Sequence, residues 1–165
     1  MKNTYFLPLG GTGEIGMNLN LYGYGEGNNI EWFMVDCGVT FSQVGLPGID
    51  LQMPDPTFIA SQKDKLMGII LTHAHEDHIG AMPFIWPYFK CPIYTTEFTA
   101  ALLKEKFDEY NIDYVNKIII HNDGETIKIG NFQVQAIGLT HSIPEMSALL
   151  IKSPSANIFH TGDWK

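Results

Sequence analysis

The feature that most constrains this chain is a cluster of metal-binding residue types, Thr72-His73-Ala74-His75-Glu76-Asp77-His78, that directly follows an apolar run. The run, residues 66–71, is predicted to be a buried strand, although its periodicity alone does not exclude a helix. Imidazole and carboxylate are common ligands of zinc, which takes about four of them in a tetrahedral site. Because four potential ligands fall between His73 and His78, the cluster predicts the nucleus of a metal site.

The spacing within this His73–His78 cluster favours a loop that serves two metal ions. His73 and His75 are two residues apart, so an extended or turning loop can direct both at one ion, whereas a helix would separate them by about 200 degrees. Asp77 and His78 follow at once and cannot all crowd the same ion, which indicates a second metal. Two metals about 3.5–4 Å apart can clamp the attacking and leaving oxygens in phosphate ester hydrolysis. Sets of His and Asp accept zinc, manganese and iron.

Other predicted strands also end in potential ligands. His141 follows the apolar stretch 136–139, and Asp163 follows the predicted strand 157–159. Because open α/β sheets collect their ligand sites at strand ends, both residues are candidate ligands. His121 is interpreted instead as a polar turn residue, and His160 as a structural residue at a strand end.

Asp36 stands at the tip of the predicted strand 30–35. A carboxylate at the end of a buried strand is costly unless it is paired or hydrogen-bonded. Asp36 either caps a turn or supports a neighbouring catalytic loop. The second interpretation is favoured, because metal-binding histidines need hydrogen-bond acceptors behind them.

Residues 11–16 match the dinucleotide-binding pattern GxGxxG, but the pattern lacks its structural context. That fingerprint needs a helix after the glycines, whereas residues 17–21 alternate apolar and polar side chains as a strand does. Gly23, Gly25 and Gly27 are then expected to form a turn. The sequence therefore predicts a glycine turn between two antiparallel strands.

The remaining patterns predict an α/β layered domain with a sheet of mixed strand direction and helices packed on one face. Residues 41–56 are expected to form a long surface loop. The predicted helices lie within residues 56–65, 79–89 and 97–110. The predicted strands cover residues 5–9, 17–21, 30–35, 66–71, 92–95, 117–120, 126–129, 132–137, 148–152 and 157–159.

Composition narrows the class of protein. A length of 165 residues is typical of one domain. The formal net charge of −8 makes the chain a poor stand-alone nucleic-acid binder. Cys37 and Cys91 are predicted to be buried free thiols. No apolar run reaches the roughly 18 residues that span a bilayer, and a cytoplasmic protein is the default expectation.

With these residues in place, the chain resembles the metallo-β-lactamase superfamily. The His73–His78 cluster fits the signature of that superfamily, and Asp36, His141 and Asp163 fit its other motifs in the same order. Residues 9–18, 141–145 and 160–165 further resemble the ribonuclease J family, of the β-CASP group of RNA-processing nucleases. The resemblance covers nearly the whole chain.

The resemblance implies a fold, a site and an activity. The fold would be the N-terminal half of an αββα sandwich, with a mixed sheet and helices packed on it. The cofactors would be two divalent ions, zinc or alternatively manganese. RNA would be hydrolysed internally and from its 5′ end. The implied ligands are His73, His75 and His141 for one ion, Asp77 and His78 for the other, and Asp163 as a bridge, with Asp77 also orienting or deprotonating the attacking water and Asp36 as support.

In that family the β-CASP domain is inserted after the segment that resembles residues 162–165. The resemblance therefore implies that residues 1–165 are the N-terminal portion of a lactamase domain, that the β-CASP and C-terminal parts lie outside this chain, and that the chain alone is inactive. RNA would be the partner of the full-length protein. An open sheet edge favours association, so a homo-oligomer is a further expectation.

Two alternatives stay open at this point. Small-molecule thioester hydrolases of the glyoxalase II type share the HxHxDH pattern of residues 73–78. A non-catalytic metal-binding scaffold would also carry such a cluster.

Overall fold

The computed structural model describes residues 1–41 and 48–165. Within those ranges five strands come first, helices then alternate with two strands, and five more strands follow; 3₁₀ turns lie at Lys63–Lys65 and Trp86–Tyr88. The helices are α1 (Thr57–Ala60), α2 (Glu76–Ile79), α3 (Met82–Ile85) and α4 (Glu97–Glu109). The strands are β1 (Asn3–Gly10), β2 (Leu19–Glu26), β3 (Asn29–Val35), β4 (Thr40–Phe41), β5 (Leu51–Gln52), β6 (Leu66–Ile70), β7 (Ile93–Thr95), β8 (Ile118–Ile120), β9 (Thr126–Ile129), β10 (Phe132–Gly138), β11 (Ser147–Lys152) and β12 (Asn157–His160).

Most strands belong to two sheets. The first has the order β1-β2-β3-β6-β7-β8. Its first three strands pair antiparallel, and β3, β6, β7 and β8 pair parallel. The second sheet has the order β12-β11-β10-β9 and is antiparallel throughout. The mixed strand direction and the α/β class are therefore as the sequence predicts.

The two sheets pack face to face through aromatic and β-branched side chains. The rings of Phe33 in β3 and Phe132 in β10 have centroids 4.8 Å apart, and both residues are buried. The opposite face of the first sheet is covered by helices, among them α4 through Leu103 and Phe107. Burial of each such side chain contributes about 1.5–3 kcal/mol. The described residues thus form helix, sheet and sheet layers of the predicted sandwich.

The turn predicted at Gly23, Gly25 and Gly27 is wrong in its position. Gly23 and Gly25 lie inside β2, and the chain turns after Glu26. A Cβ on Gly23 would stand 2.6 Å from the Trp32 ring, and one on Gly25 would stand 2.1 Å from the Asn29 carbonyl oxygen. These glycines therefore allow close approach of β3 rather than reversal of the chain.

One helix begins earlier than predicted, and one predicted loop lies partly outside the described residues. The helix expected to begin at Ile79 begins at Glu76, inside the His73–His78 cluster. Pro83 and Pro87 lie at the starts of the two short helical segments that follow, α3 and the 3₁₀ turn Trp86–Tyr88. Of the loop expected over residues 41–56, residues 42–47 lie outside the described part. The flanking residues form the short pair β4–β5.

One expectation from composition is confirmed. Cys37 and Cys91 are buried free thiols. Among the described residues, helices are all too short or too polar to cross a membrane.

Candidate metal centre

The topology brings four strand ends to one place. Strands β3 and β6 are parallel neighbours, so Asp36 and the His73–His78 cluster leave the first sheet side by side. In the second sheet β10 and β12 run in the same direction, since both pair antiparallel with β11. Residues 139–141 and 161–163 therefore leave the same end of that sheet. The Ser147 N–H donates to the Thr72 carbonyl oxygen over 3.0 Å, which joins the two sheets at this end.

Three imidazoles converge at the centre of this end. Nδ1 of His75 lies 3.0 Å from Nε2 of His73 and 3.2 Å from Nε2 of His141. The three rings meet edge to face, with centroids 4.7–5.0 Å apart. Ligands at about 2.0–2.1 Å in a tetrahedral zinc site lie about 3.3 Å from one another. Both distances are close to that value, and His73, His75 and His141 each offer a ligand atom within 4.8 Å of the others, so the group could hold one metal ion.

A second group stands beside the first. Nε2 of His78 lies 3.5 Å from Oδ2 of Asp77 and 3.4 Å from Oδ2 of Asp163. The same Asp163 oxygen lies 3.8 Å from Nε2 of His141. His73, His78 and Asp163 each offer a ligand atom within 4.8 Å of the others. Asp163 therefore stands between the two groups, and all six predicted ligands come together.

Asp36 supports the His73–His78 cluster through hydrogen bonds to Thr72 and His78. Its Oδ2 lies 2.8 Å from Nδ1 of His78 and accepts a 2.8 Å hydrogen bond from the Thr72 hydroxyl. Its Oδ1 accepts the Thr72 backbone N–H at 2.8 Å. Asp36 is buried and has a φ of 62°, a left-handed conformation that Asp and Asn adopt more readily than most residues. This contact orients His78 so that Nε2 faces Asp77 and Asp163.

The backbone after Asp36 is bonded directly to the cluster. The Cys37 N–H donates to the His78 carbonyl oxygen at 2.7 Å, and the Val39 N–H donates to that of Glu76 at 3.0 Å. Between them, a Cβ on Gly38 would stand 1.6 Å from the Asp77 carbonyl oxygen. Only glycine allows the two segments to approach so closely.

Asn18 is a site residue to which sequence reasoning assigned no role. Its Nδ2 donates to the Asp77 carbonyl oxygen at 3.1 Å and lies 3.2 Å from Nε2 of His78. The alternating pattern of residues 17–21 placed Asn18 in a strand, but β2 begins at Leu19. Its position directly after a glycine turn that precedes a core strand was the available signal.

The electrostatics of the first group suit a cation. Burial, with a smaller effect from His78, lowers the pKa of His73 to about 4. Burial and His141 lower the pKa of His75. Both rings are therefore neutral at pH 7, with a lone pair available. A hydrogen bond from His78 lowers the pKa of Asp163 to about 2, so this residue is a carboxylate.

His78 differs because acids surround it. Burial alone would lower its pKa, but the Asp36 charge and hydrogen bonds to Asp163, Asp36 and Asp77 raise it to about 12. Without a metal, the ring is an imidazolium. A metal at Nε2 would displace one proton, as metal binding to histidine requires, and Asp36 would keep the other at Nδ1. The neutral rings and the carboxylates together fit a divalent ion.

The two other histidines lie outside these groups. Nδ1 of His160 lies 2.9 Å from the Tyr22 hydroxyl, so His160 ties β12 to β2. His121 directly follows β8 and lies before the turn at residues 123–124, so its prediction as a turn residue is wrong; it is only 3% exposed. The sequence pattern around His121 does not reveal this burial.

Comparison with known proteins shows what this chain is similar to. Residues 31–165 match the beta-lactamase superfamily domain. The chain is 51% identical over 162 residues to Ribonuclease J of Sinorhizobium meliloti, covering 97% of this chain and 28% of that protein. It is 40% identical over 159 residues to Ribonuclease J of Helicobacter pylori, covering 96% of this chain and 22% of that protein. The chain thus spans less than a third of these relatives.

Solved structures share the fold at low identity. A protein of unknown function from Enterococcus faecalis matches with a TM-score of 0.67 at 21% identity, over 100% of this chain and 44% of that one. The metallo-beta-lactamase fold protein YhfI from Bacillus subtilis matches with a TM-score of 0.64 at 18% identity, over 97% of this chain and 62% of that one. Both likenesses concern the fold alone.

Proposed function

This chain belongs to the beta-lactamase superfamily, and we propose that it is the metal-binding part of a metal-dependent ribonuclease of the ribonuclease J type. The convergence of His73, His75 and His141 beside Asp163 carries the proposal. The relatives named ribonuclease J support RNA as the substrate class. The reaction would be hydrolysis of RNA phosphodiester bonds, both internally and from the 5′ end.

The proposal assigns two divalent ions to the site. His73, His75 and His141 would hold the first ion, Asp77 and His78 the second, and Asp163 both. Zinc suits the imidazole-rich first group, and manganese is the alternative because the second group is richer in carboxylate. When bound, such a pair supplies Lewis acidity and an activated water.

The protein side chains around the ions would position the reacting groups. Burial would raise the pKa of Asp77, but the hydrogen bond and charge of His78 lower it. Asp77 is therefore ionised at neutral pH, and its carboxylate can accept a proton or hydrogen bond from the attacking water. Asn18 fixes the Asp77 backbone, and Asp36 fixes the ring of His78.

RNA binding would depend on residues beyond this segment. The net charge of −8 opposes binding of a polyanion, and bound cations would offset it only near the site. We propose that residues 1–165 contribute the metal ligands, that a β-CASP region of the longer protein contributes the RNA channel, and that the segment alone does not cleave RNA.

The test begins with the reading frame past the codon for Lys165. Its full product, loaded with zinc or manganese, should cleave a 5′-labelled RNA, whereas residues 1–165 alone should bind metal without cleaving. Asp77→Asn in the full product should reduce cleavage by about a hundredfold or more. Glu76→Gln is the matched control, because Glu76 faces Lys106 of α4 at 2.7 Å.

Two results would overturn the proposal. One is a fully metal-loaded product that leaves RNA intact. The other is an Asp77→Asn variant that cleaves as fast as the parent. Thioester hydrolysis by residues 1–165 with zinc would instead favour the glyoxalase II type of enzyme.

A further inference from the structure

Asp163, the proposed bridging ligand, reaches the metal centre from a different sheet than Asp77 and His78. These two residues follow β6 of the first sheet, whereas Asp163 follows β12 of the second sheet. Its Oδ2 nevertheless lies 3.4 Å from Nε2 of His78. This distance therefore depends on how the end of β12 is held against the first sheet.

The segment between β12 and Asp163 has few backbone restraints of its own. In the part of the chain that the structure describes, β12 pairs with β11 alone, and its last residue is His160. Two residues follow, one of which is Gly162 with a φ of 55°. The next backbone hydrogen bond among the described residues runs from the Lys165 N–H to the Thr140 carbonyl oxygen, at 3.3 Å. The position of Asp163 therefore follows that of His160.

A hydrogen bond fixes His160 to the first sheet. Its Nδ1 lies 2.9 Å from the hydroxyl oxygen of Tyr22 in β2, and the two rings meet edge to face with centroids 6.0 Å apart. Burial raises the pKa of Tyr22 and lowers that of His160, so both groups are uncharged at neutral pH. The contact is therefore a hydrogen bond between neutral groups, which a substitution can remove without changing the charge of the site.

Tyr22 is a fixed anchor for this bond. Its side chain is buried, and its ring stacks on Phe33 at a centroid distance of 5.4 Å. Phe33 in turn contacts Phe132 of the second sheet, so the Tyr22 ring is held in the core between the sheets. β2 also begins directly after Asn18, whose side chain bonds to the Asp77 backbone. One strand is thus tied to both sides of the metal centre.

We propose that Tyr22 and His160 are positioning residues that hold the Asp163 carboxylate at the metal centre. The proposal rests on the metal site proposed above and adds two residues outside its ligand set. The Tyr22 hydroxyl fixes the end of β12, and the two residues that follow carry the carboxylate to the other ligands. Loss of the bond would release this carboxylate and leave the three imidazoles of the first group in place. The second ion should suffer more than the first, because only Asp77 and His78 would remain around it.

Three substitutions test the bond through the affinities for two zinc ions, measured by competition with a chelating dye. Tyr22→Phe removes the hydroxyl and keeps the stacked ring, and His160→Leu removes the partner. His160→Asn is the rescue variant, because its amide can place a polar atom near the position of Nδ1. We expect the first two variants to weaken the second ion about tenfold, the lower end for groups that support a ligand. The first ion should change far less, and His160→Asn should stay close to the parent.

Two comparisons separate positioning from a general loss of stability. Tyr22→Phe combined with His160→Leu should bind the second ion as the weaker single variant does, because both changes remove the same bond. Ile158→Val is the matched control, since it shortens a side chain of β12 that packs in the core between the sheets. It should lower the stability to urea without changing the ratio of the two zinc affinities.

A measurement with a chelator present separates this proposal from the proposed function. The ring ¹⁵Nε2 resonance of His78 reports its contact with Asp163. It should shift in Tyr22→Phe and His160→Leu and stay in place in Ile158→Val. These shifts in a parent chain that binds no zinc would contradict the metal site but support the role of the bond in placing Asp163.

Three results would overturn the proposal. One is a His78 resonance that stays unchanged when either partner of the bond is removed. Another is an equal fall in the two zinc affinities in those variants. The third is a double variant in which the effects of Tyr22→Phe and His160→Leu add.

Discussion

The Asp36 carboxylate lies 2.8 Å from Nδ1 of His78, and both side chains are almost fully buried. This contact crosses from the end of β3 to the first turn of α2. It determines which ring nitrogen of His78 faces Asp77 and Asp163. A ligand held in one orientation loses less freedom when a metal binds, which is why such supports raise metal affinity.

Asp36→Asn should therefore weaken the second metal more than the first. The amide can still hydrogen-bond, but it no longer stabilises the proton on Nδ1 by charge. We expect the affinity for the second ion to fall about 10- to 100-fold. Competition titration with a chelating dye measures both affinities. Equal loss at the two sites, or no loss, would contradict the assigned role.

Gly38→Ala should destabilise the fold and the site together. The added Cβ would overlap the Asp77 carbonyl oxygen at 1.6 Å, so the cluster would have to move. We expect a loss of about 3 kcal/mol, the upper end for overpacking, with weaker metal binding. Gly13→Ala is the control, since its Cβ meets no atom within 4 Å and only its φ of 79° opposes alanine. Denaturant unfolding should show a loss nearer 1 kcal/mol there. Similar losses in both variants would argue against a steric clash.

The metal-free chain should lose stability as pH rises from about 6.5. The pKa of His78 rises from 6.5 to about 12, because the Asp36 charge and three hydrogen bonds outweigh the effect of burial. Between these values the folded chain binds more protons than the unfolded chain, so the free energy of unfolding falls with pH. Urea unfolding with a chelator present, between about pH 6 and about pH 9, measures the slope.

His78→Gln should reduce that slope, and excess zinc should reverse it, because zinc displaces the proton from Nε2 and binds better at high pH. A rising stability in the metal-free chain would show that His78 is neutral there.

Much of this architecture could be predicted from the sequence. Strands such as Leu66–Ile70 show as short apolar runs, and ligands collect where they end. Long-range contacts could not be predicted in the same way. The sequence predicts Gly23 as a turn residue, because the close contact with the Trp32 ring that requires glycine in β2 is not visible in the sequence. The burial of His121 does not follow from the residues that flank it in the sequence. Asn18 gains its role only because residues 59 and 60 positions away come beside it.

The number of metal ions per chain tests the central claim most directly. After loading with zinc and removal of free metal, elemental analysis should give about two ions per folded chain. His73→Ala combined with His75→Ala should bring this close to zero, while circular dichroism keeps the signal of the core strands. The double variant lacks two of the three histidine ligands of the first ion, and the His73 ligand atom also lies within 4.8 Å of those of His78 and Asp163 beside the second ion. Glu105→Gln should leave the count unchanged. No bound metal in the parent chain, or an unchanged count in the folded double variant, would contradict the account.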